Sequence, residues 1–323
     1  MILLDAGVRP ASVSKPPTSW DYFADRAFRV MAQAAVWTIV LLLAYLLWSI
    51  GTKAWLGMRE HGLGFLTSAS WDVSRQQFGI LPHIWGTLYS SLLALAIGGF
   101  FGVVMAIFLT QDFLPPRLAQ VFRVIVELLA AIPSVVYGLW GLFVVIPAMR
   151  PVADVLAARL GFIPFFGTTL SGPGLAPAAL VLAIMILPTV AAVSQDALRL
   201  VPYKVKEAAY GMGTTRWEAI LKVMVPAAST GIFGALVLGF GRALGETMAL
   251  AMLIGNSNQI SLSLFAPAQT LASLLASHFP EAGQTEVQAL MYAALVLLAI
   301  TLVVNMMGTA VLTMTQRRIS GRS

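Results

Sequence analysis

Two charged side chains, Arg242 and Glu246, stand inside an apolar run from about residue 228 to residue 253. As one helix, at roughly 1.5 Å of rise per residue, that run is about long enough to cross a hydrocarbon core of ~30 Å. Arg242 falls near its middle. A charge there costs at least ~2.5–3.5 kcal/mol on insertion scales, so it needs a partner, water or a ligand. Glu246, four residues on, shares its face if the helix is unbroken. A planar fork of N–H donors suits a planar or tetrahedral oxyanion. Two readings stand: a site on an anion path, or an internal ion pair that fixes helix packing. Arginine preceding glutamate is the weaker order for helix support, so the pair is poorly explained by helix stability alone. Glu127, near the start of another apolar run, is the alternative charge partner.

A second constellation lies just before that run, in residues 199–226. It holds Glu207-Ala208-Ala209, then Gly213, Thr215, Trp217 and Glu218, and closes on Val225-Pro226. Gly211 and Gly213 can adopt positive φ and end a first helix. Thr215 and Glu218 have the spacing of a capping box that opens a second. Trp217, Ile220, Leu221 and Met224 then share one face, and Pro226 marks the limit. A helix pair with an apolar stripe and basic flanks suits docking to a soluble partner. It suits equally a helix that lies on the membrane surface between two spans.

The elements that must position these residues are membrane helices. Hydrophobic residues make up 59% of the 323-residue chain and charged residues 11%, too apolar a balance for a soluble domain of this length. The chain has no cysteine, which excludes disulfides, thiolate metal sites and cysteine nucleophiles. His61, His83 and His278 show no ligand spacing, so no metal or other cofactor is expected. Neither a G-x-x-x-x-G-K-S/T phosphate loop nor an H-E-x-x-H or G-x-S-x-G motif occurs, so the chain is expected to be non-catalytic.

Residues 1 to about 18 read as a disordered tail without the features of a cleaved signal peptide. Ser19 can cap a short interfacial helix with Trp20, Phe23, Ala27 and Met31 on one side, which completes a tail of residues 1–31. Spans are expected at about 32–50, 84–109, 124–146 with Pro133 inside, 174–193 kinked or broken at Pro188, 228–253 and 287–314. Short helices are expected within 151–160 and 271–279, and a basic tail over 316–323. With six spans, Arg117, Arg123, Arg199, Lys204, Lys206, Arg216 and Lys222 fall on the same side as both tails. The opposite loops hold only Lys53, Arg59, Arg75, Arg150 and Arg159. The richer side is expected to be cytoplasmic. The net charge of +6 is thereby explained by topology, and no nucleic-acid partner is needed.

Glu207-Ala208-Ala209, three residues, Gly213, nine residues and Val223-Met224-Val225-Pro226 resemble the EAA motif of ABC importer permeases. Val223 and Val225 depart from it, where isoleucine and leucine are usual. A narrower resemblance is to the PstC-type permease subunits of bacterial phosphate importers. It rests on Gly241-Arg242-Ala243-Leu244-Gly245-Glu246-Thr247-Met248 with Ile254-Gly255-Asn256, and on Glu127 through Gly138. It rests also on Ala183 through Pro188, on Phe78-Gly79 with Gly86-Thr87, and on Thr270-Leu271-Ala272-Ser273. Together these cover about 71 to 290. PstA-type sister subunits have alanine and proline after the Gly-Glu-Thr, so Met248 favours the PstC side.

The resemblance implies an all-α polytopic membrane protein with six transmembrane helices of the ABC importer permease type, filling residues 32–315, in the bacterial inner membrane with both termini cytoplasmic. Arg242, Glu246 and Thr247 are then the candidate residues of a phosphate path. Glu207, Ala208, Ala209, Gly213, Thr215 and Trp217 are the candidates for ATPase docking. The implied partners are a PstA-type permease subunit in a heterodimer, a PstB-type ATPase dimer, a PstS-type periplasmic phosphate-binding protein and membrane lipid. Three alternatives remain at this point: a permease for sulfate or phosphonate, an intramembrane enzyme using Glu127 or Glu246 as acid or base, and a purely structural or sensory membrane protein.

Overall fold

Lipid offers the backbone no hydrogen-bond partners, so a chain this apolar must satisfy its N–H and C=O groups within helices. The computed structural model describes residues 19–111 and 113–320, with side chains as far as residue 313. The expected tail at residues 1–18 and the last three residues lie outside this range. Five helices are long and apolar enough to cross a membrane, and a bent pair makes a sixth when counted as one span. They are α1 (Ser19–His61), α2 (Leu81–Thr110), α4 (Ser134–Leu160), α5 (Leu175–Arg199) and α11 (Gln284–Ser320), with the pair α7 (Arg216–Ala227) and α8 (Ser229–Leu244). Shorter helices are α3 (Pro116–Ala131), α6 (Tyr203–Gly211), α9 (Met248–Leu253) and α10 (Leu271–His278). A two-residue-per-strand hairpin pairs Trp71 with Phe78 and Asp72 with Gln77.

Contacts divide the chain after Thr52. In the first unit the described residues form one unbroken stretch of α1, so the expected interfacial helix and first span are a single element. Its apolar side chains, among them Trp37, Leu41 and Trp48, are exposed, a surface for lipid or another chain to cover.

The second unit is built around α5. Its residues Leu175, Ala178, Val181, Leu182, Ala183, Met185 and Ile186 are buried in one core with Tyr137, Val145 and Ile146 of α4 and with Leu250 and Leu253 of α9. Pro188 was expected to kink or break this helix, yet α5 continues through it to Arg199. Pro188 is buried, and the neighbours that pack on α5 hold both halves together despite the missing N–H. Glycines let those neighbours come close. A Cβ on Gly98 of α2 would meet the Ala183 carbonyl, and one on Gly102 would lie 2.9 Å from Val190 Cβ. On α8, a Cβ on Gly239 would lie 2.7 Å from Val190 Cγ2, and one on Gly231 would meet Ala197.

The third expected span is misplaced. Pro133 disfavours helical backbone at the residue before it, and Ile132 is extended with ψ 128°. The chain therefore leaves α3 at Ala131 and starts α4 at Ser134. The expected loop from residue 147 and short helix at 151–160 are instead the continuation of α4. A π-helical segment, Gly141–Val145, precedes Pro147 and Pro151, and its wider turn relieves the clash of proline with the turn before it. The expected fifth span is also divided, after Leu244. The helix expected near 271–279 is α10, with a Thr270–Ser273 capping box.

Gly98→Val is expected to destabilise the chain by about 1–3 kcal/mol, because the Ala183 backbone cannot yield to the added atoms. Gly234→Ala, where a Cβ meets nothing within 4 Å, should leave the midpoint near that of the parent. Thermal unfolding in detergent reads both. Matching midpoints for the two variants would mean that the close approach of α2 to α5 is not needed.

Candidate functional site

Arg242 lies in the last turn of α8 and is exposed within this chain. The close packing of α8 on α5 sets it beside Thr189. Its Nη1 donates to Thr189 Oγ1 at 2.9 Å. Thr189 is fourteen residues from the start of α5, or about 21 Å along it, so the guanidinium sits well inside the span. A guanidinium carries five N–H donors, and this bond uses one. Among the described residues Arg242 forms no ion pair with Glu246 or Glu127.

The reason is local. The helix ends at Leu244, and Gly245-Glu246-Thr247 form a break before α9. Thr247 Oγ1 donates to the Gly245 carbonyl at 3.0 Å. Glu246 Oε1 accepts from the Ala249 N–H at 3.4 Å, so its carboxylate caps an otherwise orphan donor of α9. The expectation of one continuous helix with Arg242 and Glu246 on one face is thus corrected. Glu127 is exposed on α3, four residues before that helix ends.

What α3 and α4 bring to the site is Tyr137, which is buried and lies within electrostatic reach of Arg242. Its hydroxyl donates to the Leu129 carbonyl at 2.8 Å, satisfying a backbone acceptor released by the break at Pro133. Next to it, Gly138 admits α9: an added Cβ would lie 2.8 Å from Met252 Sδ and 3.3 Å from Ala249 Cα. Sequence reasoning passed over both Thr189 and Tyr137 as candidates. The only signal was a hydroxyl directly after Pro188, and another one residue before a glycine, in apolar spans.

Residues 203–227 fold as a helix, a turn and a second helix. Gly213 has φ +81° and turns the chain, whereas Gly211 remains helical. Thr214 Oγ1 donates to the Ala209 carbonyl at 2.8 Å, while Ala209 itself is buried and Glu207 and Ala208 are exposed. Thr215 and Glu218 form the expected capping box. The expected shared stripe divides: Ile220 and Met224 are buried, Trp217 and Leu221 are exposed. Residues 219–224 are π-helical, and the wider turn rotates successive side chains by less than an α-helix would. The helix ends at Ala227, one residue past Pro226 as expected, and the chain then bends by 70° into α8. One face of Trp217 stacks on Phe113 with centroids 4.7 Å apart, and Arg216 lies over the same ring. Arg216 Nη2 also donates to the Gln111 carbonyl at 3.1 Å, so the turn after α2 is tied to α7.

Two histidines far apart in sequence meet at the other end of the second unit. His83 is buried with Nε2 3.1 Å from Gln269 Oε1, and His278 Nδ1 lies 3.0 Å from Glu286 Oε1. Both rings pack edgewise on Trp71. Nearby, Thr87 Oγ1 accepts from the Leu271 N–H at 2.9 Å. The Gly86-Thr87 and Thr270–Ser273 stretches therefore belong to one contact.

This arrangement, a bent amphipathic helix pair joined to a bundle that carries one deep arginine, is that of a transport permease. Residues 98–321 match the family described as binding-protein-dependent transport system inner membrane component, and the chain belongs to that family. Among curated proteins it is 41% identical to the phosphate transport system permease protein PstC of Haemophilus influenzae over 284 residues, 86% of this chain and 90% of that one. It is 39% identical to the protein of the same name from Mesorhizobium japonicum, covering 87% of each chain. Among solved structures it resembles a chain of a bacterial alginate ABC transporter in complex with an alginate pentasaccharide-bound periplasmic protein. That match has TM-score 0.61 at 15% identity over 92% of this chain and 97% of that one. It also resembles a chain of the inward-facing MetNI methionine ABC transporter, with TM-score 0.53 at 18% identity over 73% and 95%. Together with the family match, these two give the fold as all-α, of the ABC importer permease type.

The capping box has a measurable electrostatic signature. The Thr215 N–H at 3.1 Å, then Lys222 Nζ at 3.0 Å and the Thr215 hydroxyl, hold the Glu218 carboxylate at about 2 against an ordinary 4.5. A carboxylate with a lowered folded-state value stabilises the segment fully above about pH 4.5, and that contribution is lost as pH falls through about 2. The side-chain carbon resonance of Glu218 should titrate near 2. In a Thr215→Val, Lys222→Ala double variant the midpoint should move part of the way to 4.5, since the backbone donor remains. An unmoved midpoint would remove these side chains as a cause.

Proposed function

We propose that this chain is the membrane permease subunit of an ATP-driven phosphate importer and forms half of its translocation path. The observation that carries the reading is Arg242. It is a guanidinium inside the span, held by one neutral hydroxyl and paired with no carboxylate among the described residues. A permanent cation at that depth needs a counter-charge, and a transient oxyanion supplies one. Relatives 36–41% identical over most of this chain are phosphate transport permease proteins, which supports phosphate as that oxyanion.

On this reading the remaining N–H donors of Arg242 grip phosphate. Glu246 and Thr247, at the helix break three to five residues on, line the way out, and a carboxylate there weakens the grip enough for release. The likeness to PstC-type permeases supports a PstA-type sister subunit, two PstB-type ATPase subunits and a PstS-type binding protein as partners. Both termini and the segment 199–226 then face the cytoplasm of a bacterial inner membrane, in line with the distribution of arginine and lysine. Energy comes from the ATPase, and this chain supplies path and gate without catalysing a reaction.

Arg242→Gln should reduce ATP-dependent uptake of labelled phosphate by the reconstituted complex at least a hundred-fold while assembly survives. Arg242→Lys should also be poor, because an ammonium loses the two-pronged geometry. Sulfate in place of phosphate should not be taken up by the parent. Normal phosphate uptake by an assembled Arg242→Gln complex would reduce Arg242 to a structural charge.

The segment carrying Glu207, Ala208, Ala209, Gly213, Thr215 and Trp217 is the docking element for the ATPase. Trp217 offers its free face as an anchor, and Gly213 holds the turn at a φ that other residues rarely adopt. Gly213→Val and Trp217→Ala should each leave the permease in the membrane but reduce copurifying ATPase several-fold. Full ATPase recovery with both variants would sink the docking assignment.

A further inference from the structure

The geometry points to Thr189 as a second substrate-positioning residue of the anion path, acting both on Arg242 and on the anion. The inference rests on the path reading of Arg242.

Most helical threonines in this chain return the hydroxyl to a backbone carbonyl three or four residues back. Thr38, Thr87, Thr110, Thr301 and Thr309 each donate the O–H to the carbonyl four residues back, at distances from 2.7 to 3.1 Å. That bond is the ordinary refuge of a hydroxyl in an apolar span. Thr189 breaks the pattern. Its one hydrogen bond among the described residues is the one it accepts from Arg242 Nη1 at 2.9 Å. A hydroxyl has one donor and two acceptor lone pairs. Here one lone pair holds the guanidinium, and the O–H is uncommitted, directly beside the permanent positive charge. Thr189 is only partly buried, and Arg242 beside it is exposed.

Two consequences follow from that chemistry. The Thr189 oxygen pins one N–H of the fork, which fixes the orientation of the remaining donors and lowers the cost of ordering them when an anion arrives. The same hydroxyl donates its proton to an oxygen of that anion, adding a hydrogen bond to a charged acceptor. The guanidinium and the hydroxyl thus grip one tetrahedral oxyanion from two helices, α8 and α5. Neighbouring Pro188 has no N–H for the Ile184 carbonyl one turn back, so α5 lacks one backbone hydrogen bond in the turn that leads to Thr189.

The test uses the complete reconstituted complex with inorganic phosphate, measuring uptake and ATP hydrolysis together. Thr189→Val keeps the β-branched shape and removes the hydroxyl. It should lower phosphate uptake on the order of ten-fold, the loss expected for one hydrogen bond to a charged group, and raise the ATP hydrolysed per phosphate imported by a similar factor. Thr189→Ser, which restores the hydroxyl, should bring both back to within about two-fold of the parent. Uptake and coupling unchanged in Thr189→Val would overturn the inference. So would a parallel loss of uptake and hydrolysis in both variants, the pattern of a damaged helix contact. If Arg242→Gln is inactive while Thr189→Val is normal, only the role of Thr189 falls. If Arg242→Gln itself transports, the path reading falls with it.

Discussion

The close approach of α2 and α8 to α5 is the constraint on which the rest depends. In lipid there is no hydrophobic drive between helices, so association relies on packing and on polar contacts made at short range. Gly98 and Gly102 bring α2 against Ala183 and Val190, and Gly231 and Gly239 bring α8 against Ala197 and Val190. The two glycine faces meet the same stretch of α5 from different sides. Val190, where Gly102 and Gly239 both close in, directly follows Pro188 and Thr189. The register that seats Gly239 on Val190 also places Arg242, three residues on, at Thr189. The deep charge is held by packing first and by its hydrogen bond second.

Around this centre the chain breaks its helices where a polar group needs an irregular backbone. The break at Ile132-Pro133 frees a carbonyl that Tyr137 takes up, and the break at Gly245–Thr247 frees a donor that Glu246 takes up. The helices that follow the two breaks, α4 and α9, pack together through Gly138. Unwound backbone at membrane depth is tolerated where protein or a cavity shields it. At the other end of α8 the chain bends by 70° into α7, which Arg216 and Trp217 tie to the turn after α2. On the docking reading proposed above, motion of this segment acts on two helices that pack on α5, a route by which an external push reaches Arg242.

Much of this was legible in the residues themselves. Hydropathy is a sum over a window, so it marks apolar spans without knowledge of neighbours; five of the expected spans overlap long helices. Capping and turn chemistry is equally local, which is why Thr215 with Glu218, Gly213 and the helix after Thr270 could be read directly. Arg242 stood out because its cost in hydrocarbon follows from residue type alone. The tertiary structure decided the rest. Pro133 ends a helix while Pro151 and Pro188 do not, because a wider turn or surrounding helices absorb the missing donor at the latter two. The partner of Arg242 is a threonine fifty-three residues away, not the glutamate four residues on. Four-residue spacing predicts a neighbour only where the helix persists, and here the backbone turns between the two. A contact between α8 and α5 leaves no trace in the spacing of either helix, since it is created by how closely glycine lets two backbones approach.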